Sequence, residues 1–240
     1  MPKDLDDLVE RPFPVLRGPF LAPPSQEEEV EETSFRVIWM ACCKTKPVAL
    51  IFSSSTGQWR GAASQSWGDL EQSFRSIWRD FAYAHHYAYG CIYWQLDSRG
   101  NLLVLHTRTM EFSFAEPPPG AREWKQIAIV EAGADGPAMF ALADGTSSDL
   151  YYTIRKNNLW QAEKTISLGP GRHYIAGATE RYLVLARNGK RLPLDMPDYQ
   201  HFTLDIRTLQ LERMCELKKW HIHEMIYTNF PPSFLSLPTV

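Results

Sequence analysis

The sequence predicts an all-β fold of the propeller type, with about four blades of roughly 50 residues each and one inserted amphipathic helix. Three observations predict it. First, an apolar strand, a polar turn and a closing aromatic or leucine recur four times, in the runs 50–59, 103–112, 150–160 and 202–211. Second, the closing residues Trp59, Phe112, Trp160 and Leu211 stand 53, 48 and 51 positions apart. A period near fifty with several strands per period is the mark of kelch-length blades. Third, short apolar runs between the copies alternate with Gly, Pro, Asn and Asp turns, as strands do.

Taken in order, residues 1–34 hold six of the 17 prolines and nine acidic residues against Lys3, Arg11 and Arg17. Proline removes backbone donors and fixes φ, so this segment reads as an extended, acidic arm. Its apolar residues Phe13, Val15, Leu16, Phe20 and Leu21 are suited to pin part of it to the body. The propeller-like domain is expected over residues 35–230, with 231–240 as a tail.

The first group of strands is Phe35–Ala41, Val48–Ser53 and Gln58–Ala62, with turns at Lys44–Pro47 and Thr56–Gly57. The second is Tyr89–Trp94, Leu102–Thr107 and Met110–Phe114, with Lys125–Glu131 as its outer strand. The third is Ala138–Leu142, Leu150–Arg155 and Trp160–Leu168. The fourth is His173–Gly177, Tyr182–Ala186, His201–Ile206 and Thr208–Leu217, and a last strand is expected at His221–Tyr227. β-Branched and aromatic residues enrich these runs. Between the first two groups, Leu70, Phe74, Ile77, Trp78 and Phe81 fall at helical spacing. Asp69 and Gln72 suit a capping box, so an amphipathic helix is expected over 69–85.

Composition narrows the function. At 240 residues, 44% hydrophobic and 12% aromatic, the chain can bury a large core. The net charge of −3 divides into −6 over residues 1–34 and +3 over the rest. No basic stripe of the kind nucleic-acid binding needs is present. The N-terminus lacks the apolar run of a signal peptide, and no stretch reaches the length of a membrane span. An intracellular protein, cytoplasmic or nuclear, is expected. Four cysteines, two of them adjacent at Cys42 and Cys43, form neither a disulfide framework nor a zinc-ligand spacing.

With the blades laid out, the runs Tyr89–Trp94 and Leu102–Ser113 resemble the associated domain of plant F-box proteins. In that domain a Gly-containing Tyr/Trp strand precedes a strand ending in an Asp-x-x-Thr-x-x-Phe turn. Glu163–Leu168, Gly177–Leu183 and the stretch Phe202–Arg213 are similar to the grass-type branch of these proteins. The resemblance spans residues 35–217. It implies a domain that recognises a protein substrate for ubiquitination without catalysis, working with a Skp-type adaptor and a cullin complex. Residues 1–34 do not match the helical F-box module that docks the adaptor, so a shortened relative is expected, unable to dock the Skp-type adaptor and cullin complex unless docking is retained elsewhere.

Other motifs carry less chemistry. His221 and His223 share a strand face, but a metal needs further ligands. His85 and His86 are adjacent and diverge. Ser53–Trp59 is reminiscent of the Asp-box turn of sialidase-like propellers, with Ser55 in the acidic place. Gly169-Pro170-Gly171-Arg172 lacks the N–H donors and following Lys-Ser/Thr of a phosphate loop. No cofactor or metal site is expected. Trp67 and Trp124, in loop-like stretches, are the candidate partner-binding anchors, although packing beneath a loop fits them equally. A carbohydrate-binding or hydrolytic propeller, or a non-functional truncated relative, is the alternative.

Overall fold

The computed structural model describes residues 15–16, 19–22, 34–43, 45–64, 66–67, 85–95, 101–116, 118, 124–133, 136–143, 148–157, 159–188 and 199–217. Among these the chain is all-β. Seventeen strands form four antiparallel sheets. The first sheet holds β1 (Val15–Leu16), β2 (Phe20–Ala22), β3 (Arg36–Cys42), β4 (Pro47–Ser53) and β5 (Gln58–Ser64). The second holds β6 (His85–Ala88), β7 (Cys91–Gln95), β8 (Leu102–His106) and β9 (Glu111–Ala115). The third holds β10 (Trp124–Glu131), β11 (Pro137–Ala143), β12 (Asp149–Lys156) and β13 (Leu159–Ser167). The fourth holds β14 (Arg172–Ala178), β15 (Tyr182–Asn188), β16 (Tyr199–Asp205) and β17 (Leu211–Leu217).

Within the second, third and fourth sheets, sequence order is spatial order. The first strands of these sheets also lie side by side, β6 next to β10 and β10 next to β14. Up-and-down sheets set with their first strands adjacent are blades of a propeller-like fold. In the first sheet β1 and β2 both pair with β3, along different stretches of it: Leu16 opposes Ala41, and Phe20 opposes Ile38. The acidic, proline-rich segment therefore supplies a broken first strand, interrupted around Pro19, whose lack of an N–H suits a sheet edge.

Side-chain parity explains why the strands are apolar on both faces. Alternate residues of a strand point to opposite faces. Ile38, Met40, Ala49 and Ile51 of the first sheet meet Ile92, Trp94, Leu103 and Leu105 of the second. The intervening residues Tyr93, Leu102 and Val104 turn the other way, onto Ile127, Ile129, Met139 and Ala141 of the third sheet. Ala128, Val130, Phe140 and Leu142 then face Leu183, Leu185 and Leu204 of the fourth. The middle strands of the second and third sheets are thus sandwiched between two neighbouring sheets. Burial of one such leucine or isoleucine contributes about 1.5–3 kcal/mol. The last strand of the third sheet is an exposed one; in β13 only Trp160 and Ile166 are even partly covered.

The sequence repeat corresponds to the third strand, turn and fourth strand of each sheet. In three sheets the turn is the same. The amide of the fifth residue donates to the carbonyl of the first: Gly57 to Ser53 at 2.9 Å, Met110 to His106 at 2.7 Å and Leu209 to Asp205 at 2.8 Å. Those fifth residues all have positive φ, at 66°, 58° and 55°. Threonine holds the fourth place each time, as Thr56, Thr109 and Thr208. In the third sheet only two positions separate β12 from β13, and Asn157 there has a positive φ of 50°.

Two assignments are corrected. Lys125–Glu131 is not the outer strand of the second sheet; β10 opens the third, paired to β11 from Trp124–Ala143 to Glu131–Pro137. The missing strand of the second sheet is β6, whose His-His-Tyr-Ala sequence carries no apolar alternation to announce it. The expected helix over 69–85 lies outside the described residues except for His85, which begins β6. The strand expected at His221–Tyr227 also lies outside them.

Candidate functional site

The up-and-down course divides the connections between strands into two sets, one at each end of the sheets. At one end Tyr89–Gly90 joins β6 to β7, the repeat turns join third to fourth strands, and residues 23–35 lead from β2 to β3. At the other end residues 43–46, 65–84, 96–101, 116–123, 144–148, 168–171 and 189–198 connect the strands. Both ends therefore combine short turns with longer stretches of sequence. Loops on a rigid scaffold are where binding residues concentrate.

Of the two expected anchors, Trp67 precedes β6 and Trp124 begins β10. Trp67 is 3% exposed and lies within the core between the first two sheets. Its indole N–H donates to the Cys43 carbonyl at 2.9 Å, and its amide donates to the Thr45 carbonyl at 2.8 Å. It fastens its loop to the β3–β4 connection and is not a free recognition anchor. Trp124 opens β10 opposite Ala143. Ser53–Trp59 is a turn closed by its own hydroxyls, with Ser53 Oγ 2.7 Å from Ser55 Oγ. Gly169–Gly171 is the turn between the third and fourth sheets, with positive φ at both glycines.

His85 and His86 fall on β6, opposite Trp94 and Tyr93. The His85 ring meets Phe20 edge-on, with centroids 5.6 Å apart, and Phe20 stacks on Tyr87 at 5.0 Å. Burial lowers the pKa of His85, and burial together with the His85 charge lowers that of His86 to about 4. Both are neutral core histidines near pH 7. His221 and His223 lie outside the described residues. Among the described residues no three His, Cys, Asp or Glu side chains group to hold a metal ion. No helix there is long and apolar enough to cross a membrane.

At the end that carries the Tyr89–Gly90 turn, two groups with chemistry meet that no sequence motif joins. Cys91 opposes His106 on the β7–β8 ladder, and its Sγ lies 3.2 Å from His106 Nδ1. His106 Nε2 is 3.0 Å from Ser113 Oγ on β9. The face is the one turned to the third sheet, whose Tyr151 and Trp160 pack, like Cys91, against the core shared by the two sheets. The guanidinium of Arg155 sits 6.0 Å from the Trp160 ring centroid, and its Nε is buried with no hydrogen-bond partner among the described residues. Burial raises the Cys91 thiol pKa, against opposing pulls from the Tyr93 hydroxyl and the Arg155 charge. Burial likewise raises the Tyr93 phenol. Only the 15-residue separation of Cys91 and His106 across one hairpin could have signalled the pair in the sequence.

Side chains also tie neighbouring sheets along their first strands. Glu131 Oε1 accepts from the Tyr89 amide at 2.6 Å, and the Tyr89 hydroxyl donates to the Gly133 carbonyl. Gln126 Oε1 accepts from the Ile175 amide at 2.6 Å. Each bond crosses from one sheet to the next.

No family model matches the chain, and no curated protein matches it. Among solved structures it is similar to one from a study of two prolyl endopeptidases and their inter-domain dynamics. That match has a TM-score of 0.42 and 10% identity, over 75% of this chain and 24% of the other. It is also similar to a mutant NanB sialidase from Streptococcus pneumoniae. Here the TM-score is 0.36 and the identity 12%, over 74% of this chain and 27% of the other. The chain spans about a quarter of the length of the structures it matches.

Proposed function

We propose that this chain is a protein-interaction domain whose connecting segments recognise a protein target. The observation that carries this is the scaffold of four packed sheets, with 65–84, 23–35 and 189–198 the longest stretches between its strands. Connecting segments on a rigid scaffold are suited to binding. The resemblance of residues 35–217 to the associated domain of F-box proteins gives the target its class, a substrate for ubiquitination. Binding is then the whole contribution of this chain. Ubiquitin transfer would belong to a Skp-type adaptor and cullin assembly.

The test is affinity capture from a cell extract with the intact chain and with a variant in which residues 70–82 are replaced by a Gly/Ser linker. Discrete proteins captured by the first and lost with the second, without a Skp-type adaptor, support the proposal. Equal capture by both chains, or a glycan-array signal in place of protein partners, overturns it.

A further inference from the structure

We propose that Cys91, His106 and Ser113 form a nucleophilic site that accepts an acyl group from an activated ester or thioester. The argument begins from proton positions. Burial keeps the proton on the Cys91 sulfur near neutral pH. The S–H then donates to His106 Nδ1 across 3.2 Å, which makes Nδ1 the acceptor and leaves the ring proton on Nε2. That proton donates to Ser113 Oγ across 3.0 Å and holds the tautomer. A nucleophile, a base within reach of it and a third group that orients the base is the arrangement of covalent catalysis. Antiparallel register creates it: Cys91 and His106 are direct cross-strand partners, and Ser113 stands on the next strand.

The step balances without a cofactor. Cys91 Sγ attacks the acyl carbon as its proton passes to His106 Nδ1. The bond from carbon to the leaving oxygen or sulfur breaks, and His106 returns the proton to that leaving group. The product is acyl-Cys91, and water can release the acyl group by the same route in reverse. Arg155, whose charge acts on Cys91 and Tyr93 from the third sheet, favours the negative charge that develops. His106 is exposed and Cys91 partly so, and the substrate approaches from that side.

The probe is p-nitrophenyl acetate, with nitrophenolate release followed by absorbance and the adduct located by mass spectrometry. Acetylation is expected at Cys91, absent in Cys91→Ser and slowed about a hundredfold in His106→Gln. Its rate should already be measurable at neutral pH, below the range in which the buried thiol ionises. Ser113→Ala, a positioning variant at a half-buried site, should slow the step while leaving the thermal melt in place. Three results overturn the proposal: equal rates in His106→Gln and the unaltered chain, adducts spread over the other cysteines, or a rate that climbs only as the thiol itself ionises above pH 9. The pH profile of the unaltered chain decides the matter even if a variant does not fold.

Discussion

The amide of Ile175 donates a 2.6 Å hydrogen bond to Oε1 of Gln126, and so joins the first strands of two different sheets. Both strands are irregular there. β10 shifts register between Trp124 and Gln126, and β14 between Ile175 and Gly177. A first strand has one edge without a ladder partner, and an unsatisfied donor on it costs free energy if water is excluded. Gln126 supplies the missing acceptor from the neighbouring sheet. Gln126→Ala should destabilise the protein by about 1–3 kcal/mol. Gln126→Glu, which keeps an acceptor, should cost less. Urea melts give the ordering, and hydrogen exchange at the Ile175 amide should quicken in the alanine variant only.

Acid should weaken the fold before its carboxylates titrate. His86 has a pKa of about 4 in the folded chain against 6.5 for an unperturbed imidazole. The unfolded chain therefore binds the proton first as pH falls, and stability declines between about pH 6.5 and about pH 4. The shift corresponds to a loss of up to about 3 kcal/mol. His85 and His173 are lowered in the same direction, by burial first in each case, and add to the slope. Melts at pH 7 and pH 4.5 measure it. In His86→Phe the difference between the two should shrink; an unchanged slope would remove His86 as its source.

The repeat turn sets backbone strain against burial. A left-handed residue other than glycine costs roughly 1–2 kcal/mol. Gly57 holds the place without a side chain, and a Cβ there would meet nothing within 4 Å. Gly57→Ala should accordingly lose about 1 kcal/mol through strain alone. Met110 accepts the strain because its side chain packs on the core of the first two sheets. Met110→Gly removes the strain and also a partial burial worth about 1–1.5 kcal/mol, less than that of a fully buried side chain. The two nearly cancel, and that variant should stay within about 1 kcal/mol of the unaltered chain. Denaturant midpoints of the two variants test the balance.

The same turn explains how much of the fold was legible. Ser53–Trp59, His106–Phe112 and Asp205–Leu211 announce themselves because hydrogen bonding, positive φ and an anchoring apolar residue all act within seven positions. Local chemistry leaves a local pattern. The first strands leave none. Phe20–Ala22 sits among prolines, and His85–Ala88 is a histidine pair made apolar only by burial against Phe20 and Tyr93. Their strand character comes from partners in other parts of the chain. The pair of Cys91 and His106 was hidden for the same reason, since register and not spacing brings sulfur to imidazole.

Trp67 separates a structural tryptophan from a binding one. It is buried between the first two sheets and gives its indole N–H to the Cys43 carbonyl. Trp67→Ala should cost about 3–5 kcal/mol by opening a cavity. Trp67→Phe keeps most of the packing but strands the carbonyl, at about 1–2 kcal/mol. An exposed anchor behaves in the opposite way, because its loss weakens partner affinity and leaves the melt unmoved. Thermal melts beside capture yields for the two variants distinguish the cases. A stable Trp67→Ala protein that captures nothing would show that the indole belongs to a partner and not to the core.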